Sequence, residues 1–167
     1  MTRFKQDKEA EKQLSQTVKL SEMKSEDFET IFYVGGHGPS WDIVDNPDAI
    51  ALIEPYNSGK PVAAVCHSAG IFHRVMYQGE PLVNGKRVTG FTNGEEAAAN
   101  LSHVVPFLVE DELKRIGGIY EKAADWAPFA VVDGRVLTGQ NPASSTAAAS
   151  ALELHVLRLR GSGLLSK

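Results

Sequence analysis

Short, continuous apolar runs alternate along this chain with longer segments whose apolar positions recur at helical spacing. Thr30-Ile31-Phe32-Tyr33-Val34 and Pro61-Val62-Ala63-Ala64-Val65 have the length and composition of buried strands. The first ends in Gly35-Gly36-His37-Gly38-Pro39. The second ends in Cys66, after which small residues open a predicted helix through Ile71, Phe72, Val75 and Met76. Between the two runs, Asn46-Pro47 supplies an N-cap and a proline at the first helical position, with Ile50, Leu52 and Ile53 on one face and Pro55 and Gly59 as the stop. Strand, helix, strand, helix is the order of a parallel sheet covered on both faces.

The remaining pattern adds two hairpins and four helices. Asn84-Gly85 and Asp133-Gly134 are two-residue turn signals between short extended pieces. Helices are predicted after Gly90-Phe91-Thr92-Asn93-Gly94, from Pro106 to Gly117-Gly118 through Phe107, Leu108, Leu113 and Ile116, and from Ala143 to about Leu159. Residues 3–14 are polar with Phe4, Ala10 and Leu14 as their only apolar anchors, which predicts a peripheral helix outside the core. Residues 1–160 are expected to form a single domain, and 161–167 a flexible tail.

Composition narrows the function classes. The 167 residues are 43% hydrophobic and 23% charged, with a net charge of −4, so a basic surface for nucleic acid is not expected. One cysteine excludes an intramolecular disulfide and a cysteine-based zinc cluster. The first twenty residues lack the apolar segment of a signal peptide and no later run reaches membrane-spanning length, which predicts a cytoplasmic protein without a membrane partner.

Two readings of Cys66 compete on the residues alone. Free cysteines are often small buried hydrophobes. Placement at a strand end, with small Ala64 and Ser68 two residues either side, instead fits a nucleophile on a sharp turn, where helix N–H groups favour the thiolate. Glu96 divides similarly: Asn93 and Glu96 fit a helix capping box, and Glu95 competes for any acidic role. Trp41 and Trp126 suit packing at core or rim, His73 and His103 suit solvated surface, and Asn141 or Ser144 suits a cap for the last helix.

Tyr33-Val34-Gly35-Gly36-His37-Gly38-Pro39, Ala63-Ala64-Val65-Cys66-His67, Gly90-Phe91-Thr92 with Glu96, Ala124-Asp125-Trp126 and Thr138-Gly139-Gln140-Asn141-Pro142-Ala143-Ser144-Ser145 together resemble the DJ-1/PfpI superfamily. Within it they are similar to the branch of Hsp31-like chaperones and glutathione-independent glyoxalases. The resemblance implies a flavodoxin-like, three-layer α/β/α sandwich with a mostly parallel sheet and a nucleophile elbow at Cys66. It implies Cys66 as nucleophile, His67 as its histidine, Glu96 as the acid orienting that histidine, Gly36 and His67 N–H groups as an oxyanion site, and His37 at the pocket mouth. The implied activity is conversion of methylglyoxal, a small 2-oxoaldehyde, to D-lactate without metal or other cofactor. The rivals are a stress holdase, a cysteine oxidation sensor, and an inactive truncated paralogue. Glu153-Leu154-His155 reverses the His-x-Glu order of glutamine amidotransferases, so ammonia production is not expected.

Two departures from the family pattern carry expectations. Ser68-Ala69 stands where relatives read Gly-Pro, a change between small residues with modest consequences. Relatives of this kind also begin with a strand, a helix and another strand ahead of the region matched by Phe28, and a glutamate near the first helix bonds the cysteine sulfur. No residue of 1–27, including Glu9, Glu11, Glu22 and Glu26, has that setting. The Cys66 strand is therefore expected to expose a ladder edge, to be covered in a homodimer or higher oligomer.

Overall fold

The computed structural model describes residues 5–53, 56 and 59–163; the anchor Phe4, the helix stop Pro55 and residues 164–167 of the expected tail lie outside them. Helix α1 (Lys8–Ser15) is capped by the Asp7 side chain and buries no residue, which matches its polar sequence. Strands β1 (Ile31–Tyr33) and β2 (Val62–Val65) pair in parallel, joined through α2 (Pro39–Asp42) and α3 (Pro47–Ala51). The Asn46 side chain accepts from the N–H groups of Asp48 and Ala49, so the predicted Asn-Pro start of α3 is formed.

Beyond β2 lie a 3-10 helix over Cys66–Arg74 and two short strands, β3 (Met76–Tyr77) and β4 (Glu80–Pro81). Strand β5 (Arg87–Val88), helices α4 (Asn93–Ala98) and α5 (Val109–Arg115), and β6 (Ile119–Tyr120) follow. The chain then forms β7 (Ala130–Asp133), β8 (Val136–Gly139) and α6 (Ser145–Gly161). The main sheet has the order β1-β2-β8-β7, parallel except for β7.

Alternation along the strands makes three layers. Tyr33, Val62, Ala64 and Val136 face a core with Ile53, Ile71, Phe72, Val109 and Leu113, whereas Phe32, Ala63 and Leu137 face Leu152 of α6. This is an α/β sandwich of flavodoxin-like kind, as the strand and helix order predicts.

Two expectations are corrected. Asn84-Gly85 forms a turn but not a hairpin: β4 pairs with β3 across Gln78-Gly79, and β5 pairs in parallel with β6. Leu82 and Val83 between them are both buried in the core, which a half-exposed ribbon does not permit, and the Gly85 N–H bonds to Gly117 instead. The β7–β8 hairpin forms, with Asp133 paired to Val136 and Gly134-Arg135 as the connection. Gly134 has φ 58°, the conformation a type II′ turn needs at its first position. The Cys66 strand is not an edge, because β1 and β8 flank it and all four of its residues are buried. Among the described residues the edge strands of this sheet are β1 and β7.

Candidate active site

Strand β2 delivers Cys66 at its end with φ 63°, a conformation that non-glycine residues seldom adopt and that lifts the side chain out of the strand. Ser68 braces this turn. Its hydroxyl accepts from the Val65 N–H at 3.1 Å and donates to the Tyr33 carbonyl at 2.7 Å, tying the ends of β1 and β2 together. The sequence showed Ser68 only as a small residue; its spacing of three from Val65, that of an N-terminal cap, was the available signal.

Gly35 lies directly against the nucleophile. A Cβ placed there would sit 2.7 Å from Cys66 Cβ and 2.9 Å from the Val65 carbonyl oxygen, neither of which can swing away. Gly35→Ala is expected to destabilise the fold by about 1–3 kcal/mol, as overpacking does, and to displace Cys66. Thermal denaturation with a thiol-alkylation rate measures both, and a variant with unchanged melting and alkylation would show that β1 and β2 separate freely.

Cys66 Sγ lies 3.2 Å from His67 Nδ1, and His67 Nε2 lies 2.6 Å from Glu96 Oε2. A carboxylate only accepts, so Nε2 carries the proton and Nδ1 faces the thiol as an acceptor. The other Glu96 oxygen accepts from His37 Nε2 at 3.0 Å. Glu96 thus bridges two imidazoles, one fully buried and one, His37, with a side chain 36% exposed. Phe91 holds the rings in place, its centroid 4.3 Å from His67 and 5.7 Å from His37, and Trp126 stands edge-on to Phe91 at 5.7 Å. Phe91 is positioned by its neighbours: Thr89 N–H bonds to Thr138 Oγ1, and the Gly90 carbonyl accepts from Tyr120. Trp126, 49% exposed, is a rim residue.

The capping box belongs to the neighbouring pair. Thr92, not Asn93, is the N-cap of α4, and Glu95, not Glu96, is its partner. Glu95 is fully buried and also accepts from the Trp126 N–H and the side-chain amides of Gln140 and Asn141. With Glu95 on the cap, one residue further round the helix carries Glu96 to the histidines. Asn141 caps the 3-10 turn before α6, accepting from the Ser144 N–H, while α6 itself starts after Ser144 without a side-chain cap bond, so the expected cap serves the turn and not the last helix. His73 departs from expectation. Its two ring nitrogens each lie 3.2 Å from a carboxylate, Asp45 and Glu112, and its side chain is largely buried against Phe107.

Burial dominates the electrostatics. It pushes the Cys66 thiol above its ordinary value, outweighing the pull of the Gly36 and His67 backbone N–H groups that point at the sulfur, and Glu95 and Glu96 push the same way. Burial thus opposes the thiolate that the predicted helix N–H groups would favour. Burial also lowers the His67 pKa below the usual 6.5, against the opposing hydrogen bond from Glu96.

Burial likewise holds His155 below 6.5. The unfolded chain therefore binds more protons at these rings than the folded chain does as pH drops below about 6.5. Their contribution is unaffected above that value and is lost as pH falls toward the lowered folded values. The urea midpoint is expected to be lower at about pH 5.5 than at about pH 7.5, well above the range where Asp45, Glu110 and Glu112 with their lowered pKa values titrate. Equal midpoints would contradict the burial of both rings.

His37, His67 and Glu96 also offer ligand atoms within 4.8 Å of one another, close enough to meet at one metal ion.

A sandwich of this kind, with a cysteine on a strained strand end and a histidine–carboxylate pair behind it, has the geometry of a nucleophile elbow on an α/β fold. Residues 4–153 match the DJ-1/PfpI family, and the chain belongs to it. It is 33% identical over 153 residues to the glutathione-independent glyoxalase HSP31 of Saccharomyces cerevisiae, covering 86% of this chain and 65% of that protein. It is 32% identical over 135 residues to Glyoxalase 3 of Candida albicans, covering 76% and 57%. The chain thus spans less than two thirds of the length of either relative. Among solved structures, the Francisella tularensis Rapid Encystment Protein superposes with a TM-score of 0.86 at 29% identity over 93% of this chain and 70% of that one. Glyoxalase III from Candida albicans gives 0.77 at 29% identity, over 81% and 60%. These relatives are those of the Hsp31-like branch. No helix among the described residues is long and apolar enough to cross a membrane.

Proposed function

We propose that this protein is a cytoplasmic, glutathione-independent glyoxalase that converts methylglyoxal to D-lactate at Cys66, His67 and Glu96. The observation that carries the reading is the continuous line from Cys66 Sγ through His67 to Glu96, with hydrogen-bonding separations of 3.2 and 2.6 Å. A neutral thiol facing a neutral imidazole suits attack in which the proton leaves sulfur as carbon arrives. Sulfur adds to the aldehyde carbon, and its proton passes to His67 Nδ1 and from there to the aldehyde oxygen, which becomes the hydroxyl of a hemithioacetal and leaves Nδ1 free again. The backbone N–H groups of Gly36 and His67 are placed to meet charge on that oxygen. His67 next takes the proton from the former aldehyde carbon and delivers it to the neighbouring carbonyl carbon, while the hydroxyl proton passes to the neighbouring carbonyl oxygen, which leaves a thioester of lactate. Water cleaves the thioester, releasing lactate and restoring the thiol, so the sum is methylglyoxal plus water to lactate plus a proton.

Glu96 keeps the Nε2 proton in place so that Nδ1 stays available, and it stabilises the imidazolium formed during attack. The relatives' names supply the substrate class. The raised thiol pKa counts against a rival role as oxidation sensor, since such cysteines are exposed and readily ionised. Self-association belongs to the same reading: β1 keeps an open edge, and Phe32, Leu152, Val156 and Leu157 line an apolar groove beside it that suits a second copy. The test is methylglyoxal consumption with chiral detection of lactate. Steady D-lactate is expected, and a folded sample that forms none overturns the proposal.

A further inference from the structure

We propose that His37, His67 and Glu96 form a zinc site at the mouth of the Cys66 pocket, and that Zn²⁺ bound there reversibly silences the cysteine. Zinc binding goes beyond the glyoxalase reading and stands without it; the silencing rests on it.

The donor set is specific. Two imidazoles and one carboxylate suit a borderline cation such as Zn²⁺, whereas Mg²⁺ and Ca²⁺ favour oxygen-rich sites. Three protein ligands with an open fourth position are also the pattern of accessible zinc centres. In the present arrangement Glu96 holds both Nε2 protons, at 2.6 Å from His67 and 3.0 Å from His37. Ligands of a tetrahedral zinc stand roughly 3.3 Å apart at ordinary bond lengths, so the cation needs only a modest opening of the carboxylate away from His67. His37, half-exposed on the Gly-rich loop, provides the entrance and the freedom to open. Phe91 against His67 keeps Nε2 aimed at the site.

Silencing follows from the tautomer. A neutral imidazole carries one ring proton, and metal at Nε2 moves it to Nδ1. Nδ1 is the atom 3.2 Å from Cys66 Sγ. Once protonated, it can neither accept the thiol proton nor collect one from the substrate carbon. Cys66 is not a ligand in this arrangement, because it lies on the Nδ1 side of the ring. The other histidine–carboxylate group, around His73, does not compete: Asp45 and Glu112 meet opposite nitrogens of its ring, and Arg74 and Arg115 occupy those carboxylates.

The experiment titrates the EDTA-stripped full chain with Zn²⁺ by calorimetry, beside His37→Ala, Glu96→Gln, Cys66→Ser and His73→Ala, and follows D-lactate formation with zinc and after chelation. One zinc per chain is expected, with affinity lost by more than about tenfold in His37→Ala and Glu96→Gln and kept in Cys66→Ser and His73→Ala. Absence of binding, its persistence in His37→Ala, or its loss in Cys66→Ser overturns the site. Full turnover at saturating zinc overturns the silencing. A metal-free chain that forms no D-lactate defeats the glyoxalase reading while the calorimetry still decides the zinc site.

Discussion

Cys66→Ser is expected to remove D-lactate formation from methylglyoxal by on the order of 10³-fold or more, the scale on which loss of a nucleophile acts in covalent catalysis. The serine oxygen fits the same turn and keeps a hydrogen bond to His67 Nδ1 within reach, so the variant tests chemistry rather than folding. Its hydroxyl is a far weaker nucleophile than the thiol, and His67, with a pKa lowered by burial, is a weak base on which to rely. The chain has no second cysteine to substitute. Circular dichroism melts beside the chiral lactate assay separate the cases. A folded variant that still forms D-lactate would move the chemistry off Cys66 and would reassign His67 and Glu96 to a polar core cluster.

The strong local signals in this sequence were those with one physical meaning. Ile31–Tyr33 and Val62–Val65 read as strands because each is apolar on both faces, and Asn46-Pro47 read as a helix start because few other structures use that pair. Asn84-Gly85 misled because a turn signal does not say what its flanks pair with; burial of Leu82 and Val83 decided that, and burial is a tertiary fact. The Cys66 strand was assigned an edge by analogy with the strand that flanks it in relatives; here β1 and β8 flank it, and β8 lies more than seventy residues further along the chain, beyond the reach of local pattern. At the site, the strand-end placement of Cys66 was legible in the residues themselves, whereas His67 and Gly36 entered through the family resemblance. The shared carboxylate that joins His37 to His67 was not, since it depends on which of two adjacent glutamates the helix cap consumes.

That choice yields the second prediction. Glu95→Gln and Glu96→Gln make the same chemical change at adjacent positions, yet they are expected to fail in opposite ways. Glu95 Oε1 accepts from Trp126 N–H at 2.7 Å, Asn141 Nδ2 at 2.7 Å and Gln140 Nε2 at 3.1 Å, and Oε2 accepts from Thr92 N–H at 3.0 Å. A glutamine has one acceptor oxygen, so its NH₂ must face a donor on one side, with nothing buried nearby to relieve it. Loss of a buried, charge-assisted hydrogen bond of this kind costs about 1.5–3 kcal/mol. With the oxygen turned to the three donors on the Oε1 side, the NH₂ faces the Thr92 N–H and the reciprocal bond of the helix cap is lost. Glu95→Gln should therefore lower the melting temperature and the urea midpoint clearly, with activity following the folded fraction. Glu96→Gln can still accept from His67 through its oxygen, but it no longer offers charge to the imidazolium that forms when Cys66 gives up its proton. It should stay close to wild-type stability and lose about 10²–10⁴-fold in turnover, the range for an acid–base component. The lost turnover should appear in kcat more than in KM, because the charge matters only once the proton has moved. If the two phenotypes were exchanged, Glu95 would be the acid behind the histidine and Glu96 the structural anchor, against the geometry of both side chains.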